Sequence, residues 1–274
     1  MTKQISTFLF ALLLSVFSAV LGRQKAPAES VTVRSAADLR HIPQNAFRPG
    51  ERLLFDVKYS FITAGEAVFS LNPADSVQAR EAWQILFTVN TTPFFSSIFT
   101  VEDRYESIID AAGMFPWQYN QHVREGKYAL DYGASFDQVK HTAKSENGVF
   151  RIPPYTHDVV SAFFFARTLD YTTMRPGQKV EYKNFFRDST YGLGIKFLGY
   201  QQAEVDAGTF NCVLVEPLIK EGGLFKSEGR VLIYLSNDER KIPVKVVTKV
   251  LIGSINAELR EYYGLTGPLP SKVN

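Results

Sequence analysis

From Glu51 onward, apolar and polar positions alternate with a period of two. Leu53, Phe55, Val57 and Tyr59 share one face, while Asp56 and Lys58 lie on the other. This is the pattern of a strand with one side on a core and one in water. The alternation recurs at Trp83, Ile85, Phe87 and Val89; at Trp117, Tyr119 and Val123; and at Tyr128, Leu130, Tyr132, Ala134 and Phe136. It continues at Val180 and Tyr182; at Leu193, Ile195 and Phe197; at Val231, Ile233 and Leu235; at Ile242, Val244 and Val246; and at Ile255, Ala257 and Leu259. About a dozen strands are predicted. Alternation in place of continuous apolar runs argues for antiparallel pairing. Turn signals such as ITAG at 62–65, REGK at 124–127, SENG at 145–148 and DAGT at 206–209 fit meander connections.

One stretch breaks the pattern. In PPYTHDVVSAFFFARTLDY, residues 153–171, the two prolines stop a strand, Thr156 is a candidate N-cap, and Asp158 in the first turn suits the helix dipole. At about 100° per residue, the predicted helix from His157 to Tyr171 is apolar nearly all round, with only His157, Ser161 and Thr168 forming a polar sector. Such a helix must be covered on most sides. The expected fold is therefore mainly β: a single large curved antiparallel sheet, an open or half barrel, wrapped around one buried α-helix. Arg167 projects within the apolar arc, so it must reach water along its stem or find an oxygen partner.

The N-terminus has Lys3, an apolar run from Phe8 to Leu21, and Val20 and Gly22 before Arg23, the layout of a secretory signal. An uncleaved membrane anchor is the rival reading, because the run approaches the roughly 17 residues that span a bilayer. Ser15, Ser18 and the polar stretch beyond favour the signal. The expected organisation is a signal peptide at 1–22, a linker at 23–48 with a short helix around Ala36 to Arg40, one β-rich domain at 49–264 and a tail at 265–274. No Cys follows the apolar run, so a lipoprotein is not indicated. The only cysteine, Cys212, excludes an intrachain disulfide and reads as a small buried hydrophobe. With 30 basic against 28 acidic residues, scattered along the chain, the footprint of a nucleic-acid binder is missing and no nucleic-acid partner is expected.

Several blocks together carry a family resemblance: GERLLFDVKYSFITAGEA, VEDRYESIID, YNQHVREGKYAL, PPYTHDVVSAFFFARTL, AGTFNCVLVEP and LSNDERKIPVKVVTKVLIGSINAEL. In this order, from about Pro49 to Tyr263, the chain resembles the bacterial exported family called domain of unknown function 3108. The resemblance implies a signal sequence, a β-rich single domain and a Gram-negative envelope. It implies no catalytic residues.

A search for chemistry returns little. There is no G-x-S-x-G, H-E-x-x-H, P-loop or C-x-x-C, and the glycines of GLGIKFLG at 192–199 read as a bend in a strand. His41, His122, His141 and His157 are too dispersed for a local metal motif, so no metal and no cofactor are expected. Glu102, Asp103 and Glu106 around Arg104 read as a cross-strand salt-bridge ladder, because Asp103 points opposite to its neighbours on a strand. TTPFFSSIF at 91–99 places Phe94 and Phe95 in a loop, as candidates for contact with an envelope protein partner.

Three functions remain. The first is an exported, periplasmic, non-enzymatic binding module that holds an apolar small molecule or lipid, such as an acyl chain, between sheet and helix. Its wall candidates are Phe163, Phe164, Trp117 and Tyr119, with Arg167 at the cavity mouth orienting a headgroup. The second is an envelope scaffold with a filled core, and the third a hydrolase with an unrecognised site.

Overall fold

A computed structural model describes residues 35–219, 230–249, 254–265 and 267–273. The expected signal peptide and the first part of the expected linker lie outside the described residues. The strands are β1 (Arg52–Tyr59), β2 (Ile62–Val77), β3 (Arg80–Thr91), β4 (Glu102–Asp110), β5 (Pro116–Glu125), β6 (Tyr128–Asp137), β7 (Thr142–Ser145), β8 (Gly148–Arg151), β9 (Lys179–Phe186), β10 (Ser189–Val205), β11 (Gly208–Ile219), β12 (Val231–Ser236), β13 (Pro243–Lys249) and β14 (Ser254–Tyr263). Two α-helices are present among the described residues, α1 (Pro93–Ser96) and α2 (Val159–Ala166). The helix expected near Ala36 is a single 3₁₀ turn, Ala36–Asp38.

All fourteen strands form one antiparallel sheet in the order β8-β7-β6-β5-β4-β3-β2-β1-β14-β13-β12-β11-β10-β9. Every pairing but one joins sequence neighbours, as short turns dictate. The exception is β1 with β14, where Phe55 faces Leu259 and Val57 faces Ala257. Two meander arms therefore spread from a central seam, and native twist curls them toward each other. The sheet edges β8 and β9 do not close into a barrel ladder. They meet through side chains: Phe150 and Phe136 each lie 5.9 Å from Phe185, and Asp188 accepts from Ser145 and Asn147 at 2.5 and 2.7 Å. Backbone at His157 also occupies part of the β9 edge, donating to Lys183 O and accepting from Phe185 N, both at 2.8 Å.

The inward faces follow the predicted alternation. One cross-strand row runs Leu53, Phe69, Phe87, Tyr105, Gln121, Tyr132. A second row, nearer the β1–β2 turn, runs Phe55, Ala67, Val89, Asp103. The antiparallel order puts the C-terminal ends of the odd-numbered strands at one end of the curl and those of the even-numbered strands at the other.

Helix α2 lies across that other end. Its first turn is capped by Asp158, whose carboxylate accepts from Val160 N at 2.7 Å and Ser161 N at 2.9 Å, and Ser107 on β4 donates to the same carboxylate at 2.7 Å. The cap is thus Asp158, not Thr156, whose hydroxyl instead donates to Pro153 O. The helix is shorter than the apolar pattern suggested, since a 3₁₀ turn at Tyr171–Thr173 follows and the Tyr171 hydroxyl donates to Ala166 O at 2.8 Å. The polar sector is not a solvent face: His157 and Ser161 are buried. An eight-residue helix stranded among apolar neighbours has to satisfy its polar groups internally, and these side chains do so.

At the C-terminal end, Arg167 takes the second of its two expected routes, an oxygen partner, and not the headgroup-orienting place at a cavity mouth. It is fully buried, with Nη1 and Nη2 donating to the two Glu51 carboxylate oxygens at 2.6 and 2.8 Å. Further bonds go to Lys241 O, Arg240 O and Ala46 O, and the guanidinium lies beside the edge-to-face pair of Phe47 and Phe164, 4.8 and 5.0 Å from their centroids. A charge removed from water demands this full set of partners.

Phe164 is sealed, whereas its neighbour Phe163 is only partly buried. Phe164→Ala is therefore expected to cost about 3–5 kcal/mol, the range for a large aromatic deletion in a core. Phe163→Ala should cost clearly less. Urea unfolding of both variants checks this, and an equal or larger loss at Phe163 would contradict the assignment.

Candidate functional site

With α2 closing one end, the other end of the curl is the mouth, and the segment between β3 and β4 folds over it as a flap. Thr92 N donates to Ala64 O at 2.9 Å, Gly126 N to Thr100 O at 2.8 Å, and Thr91 and Val101 bond reciprocally at 3.1 Å. These bonds tie the flap to the β1–β2 and β5–β6 hairpins. Its single turn of helix, with Phe99 N donating to Phe95 O, sorts the side chains. Phe95 and Phe99 pack on the core, while Phe94 and Ile98 are 72% and 67% exposed. Gly126 permits the fit: its φ is +58°, and a Cβ there would lie 2.7 Å from the Phe99 ring.

Between flap and helix, the core is not sealed throughout. Phe69 and Phe163 stack with centroids 5.4 Å apart and planes 4° from parallel. Phe69 continues the stack to Phe87 at 4.1 Å. Although Phe69 and Phe163 belong to the interior, both retain solvent contact. Phe163 and Val246 each touch both of the apolar clusters into which the concave face divides. The two clusters therefore meet along a seam at Phe163 and Val246, both of which are only partly buried.

The wall candidates read from the sequence do not converge. Phe163 faces the seam, but Phe164 is enclosed by Phe47, Phe69 and Arg167. Trp117 belongs to a separate cluster with Leu39, Ala82 and Phe115. Tyr119 is sealed and donates to Gln121 Oε1 at 2.9 Å. Arg167 lies at the helix end, its charge matched by Glu51, and not at the mouth. Cys212 is buried, with burial pushing its thiol up to about 12.

Two polar groups near the mouth were missed. Asp103 and Glu125 sit on the inward face at the flap end of β4 and β5, 6% and 7% exposed. Asp103 accepts from Arg124 N at 2.9 Å and from the Tyr105 hydroxyl at 3.4 Å. No backbone or side-chain donor reaches Glu125 Oε1. The two carboxyls hydrogen-bond to each other, which requires a shared proton. Desolvation raises Asp103 to about 6; desolvation, followed by repulsion from Asp103, raises Glu125 to about 7. REGK read as a turn, yet continuing the β5 alternation from Trp117 through Gln121 and Val123 places Glu125 inside. Arg104 pairs with Glu106 at 3.1 Å on the outer face, along one strand and not across two as the ladder reading expected.

A second polar cluster lies beneath the helix. His157 Nδ1 is 3.3 Å from Ser161 Oγ, and its Nε2 is 3.4 Å from Arg40 Nη2. Burial, then the Arg40 charge, holds His157 well below the usual histidine range, so it is neutral. Ser161 Oγ accepts from Asp158 N and donates to Asp158 O. Serine, histidine and aspartate thus come together, but all three are buried and committed to capping the helix. The arrangement positions α2 and presents no nucleophile to a substrate. Among the described residues, no group of three or more His, Cys, Asp or Glu side chains is placed to hold a metal.

The family model described as "Protein of unknown function (DUF3108)" matches residues 54–260, and the chain belongs to that family. Among solved structures, the chain is similar to a β-barrel-like protein of domain of unknown function DUF1849 from Brucella abortus. That match has 10% identity and a TM-score of 0.51, and it covers 82% of this chain and 98% of the other. The hypothetical protein CT021 from Chlamydia trachomatis matches at 13% identity and TM-score 0.35, over 83% of this chain and 93% of the other. At such identities the Brucella likeness is one of fold alone. A comparison with curated proteins finds no match.

The acid pair makes a signed prediction. Its folded-state pKa values exceed the ordinary carboxylate range near 4, so the folded protein binds more protons than the unfolded chain between about pH 4 and 7. Stability from the pair is present at low pH and is lost as pH rises through that window. Asp158, raised to about 6 mainly by desolvation, acts in the same direction, so the test is a difference. Urea midpoints of wild type should fall more between pH 5 and 8 than those of Glu125→Gln; parallel pH profiles would contradict the assignment.

Proposed function

We propose that this protein is an exported, non-enzymatic binding module of the cell envelope that holds an apolar ligand, an acyl chain, along the seam between the sheet and α2. The observation that carries the reading is the Phe69–Phe163 stack: inward-facing aromatic rings, one on the sheet and one on α2, that keep contact with water. Water against such surface costs about 25 cal/mol per Å² of apolar area, a cost that an acyl chain would remove. Ligand sites of this kind are mostly apolar with a few polar groups that fix orientation. The N-terminal signal layout supports export to the periplasm.

The position of Arg167 changes the expected headgroup. The polar groups toward the mouth are Asp103 and Glu125, and a ligand carboxylate placed beside them would meet like charge and no donor. The preferred ligand therefore carries an uncharged or cationic polar end.

Displacement of a fluorescent monoacylglycerol from delipidated protein tests this reading. Saturable binding is expected, weakened at least tenfold by Val246→Trp, which fills the seam, and weaker at pH 8 for a fatty acid than for the neutral ligand. Absence of saturable binding, or indifference to Val246→Trp, would leave a scaffold with a filled core in its place.

A further inference from the structure

Phe61, Phe94 and Ile98, at 88%, 72% and 67%, are the most exposed large apolar side chains among the described residues. They are not scattered. Phe61 is in the β1–β2 turn, followed by Ile62 at 46%, and Phe94 and Ile98 are on the flap. Thr91 pairs with Gly65, and Thr92 N bonds to Ala64 O, so the two loops stand side by side. The next hairpin, joined through Gly126 N and Thr100 O, adds Tyr128 at 41%. A run of apolar loop tips thus projects from the mouth end. Single exposed apolar residues are ordinary, but a contiguous group marks a contact surface.

The charges around the group identify the contact. Lys127 is exposed beside Gly126. Lys249 is exposed opposite Ser254, whose carbonyl accepts from Ser60 N next to Phe61. Of the acids at this end, Asp103 and Glu125 face inward, whereas Glu102, next to the flap, is exposed. Glu102 is on the outer face of β4, and Glu146 stands in the β7–β8 turn. Apolar side chains on convex loop tips, flanked by lysines, match the interfacial zone of a bilayer, where acyl boundary and anionic headgroups lie within one side-chain length.

We infer that the mouth end docks on an anionic lipid surface, with Phe61, Phe94 and Ile98 entering the interface and Lys127 and Lys249 meeting the headgroups. This surface is separate from the seam, and its test needs no bound ligand.

The purified protein is sedimented with vesicles of phosphatidylethanolamine and phosphatidylglycerol and, separately, of phosphatidylcholine. Saturable binding to the anionic vesicles is expected. Binding should weaken at least tenfold for Phe61→Ser/Phe94→Ser and severalfold for Lys127→Glu/Lys249→Glu or in 0.5 M salt. All four positions are exposed, and a thermal melt of each variant controls for folding. The inference is overturned if the protein binds neither vesicle, if the phenylalanine variant binds as well as wild type, or if phosphatidylcholine binds equally. It is also overturned if velocity sedimentation shows a concentration-dependent dimer that the phenylalanine variant abolishes, since the tips would then be a contact between two copies of the chain.

Discussion

The ion pair between Arg167 and Glu51 fixes the rest of the arrangement. A guanidinium and a carboxylate, both out of water, have few stable placements, and here the pair joins residues 116 apart in sequence. The same guanidinium binds the carbonyls of Ala46, Arg240 and Lys241. The end of α2, the segment entering β1 and the β12–β13 turn are thereby drawn to one point. Buried ion pairs are weak contributors to net stability but strict about geometry, because any arrangement that separates the partners strands a charge in the interior. The result is a curled sheet with one end closed by a helix and the other left to a flap.

The asymmetry of the two ends organises everything that resembles a site. At the closed end, polar groups are paired: Asp158 caps the helix, Ser107 and Ser161 satisfy it, and a neutral His157 sits against Arg40. Toward the mouth, polar and apolar groups are less completely matched. Glu125 Oε1 lacks a donor and Phe61 and Phe94 face outward, while between the two ends Phe69 and Phe163 keep contact with water.

Much of the fold was legible because period-two alternation is a direct record of a half-buried strand. The inward faces of β1, β3, β5, β12 and β14 stand where Phe55, Phe87, Tyr119, Ile233 and Leu259 indicated. The curved sheet and its helix followed from one apolar stretch. What alternation does not encode is pairing between distant strands, so the β1–β14 seam was invisible. The helix cap was misassigned because Thr156 and Asp158 are both competent caps, and the choice depends on Ser107, which arrives from another strand. For Arg167 an oxygen partner was one of two readable options, but the sequence did not say which oxygen, because Glu51 lies more than a hundred residues away, and so the mouth position was assigned in error. Glu125 was hidden by its own turn signal, although parity along β5 would have placed it inside.

A double-mutant cycle on Arg167→Met and Glu51→Leu tests the central claim most directly, because it isolates the pair from the packing of either residue. Each single change should destabilise the fold by about 3–5 kcal/mol by leaving a buried charge unmatched, and the double variant should regain most of that loss. Additive costs, with the double variant as unstable as the sum of the singles, would show that the two residues act independently and that something else holds the helix across the end of the sheet.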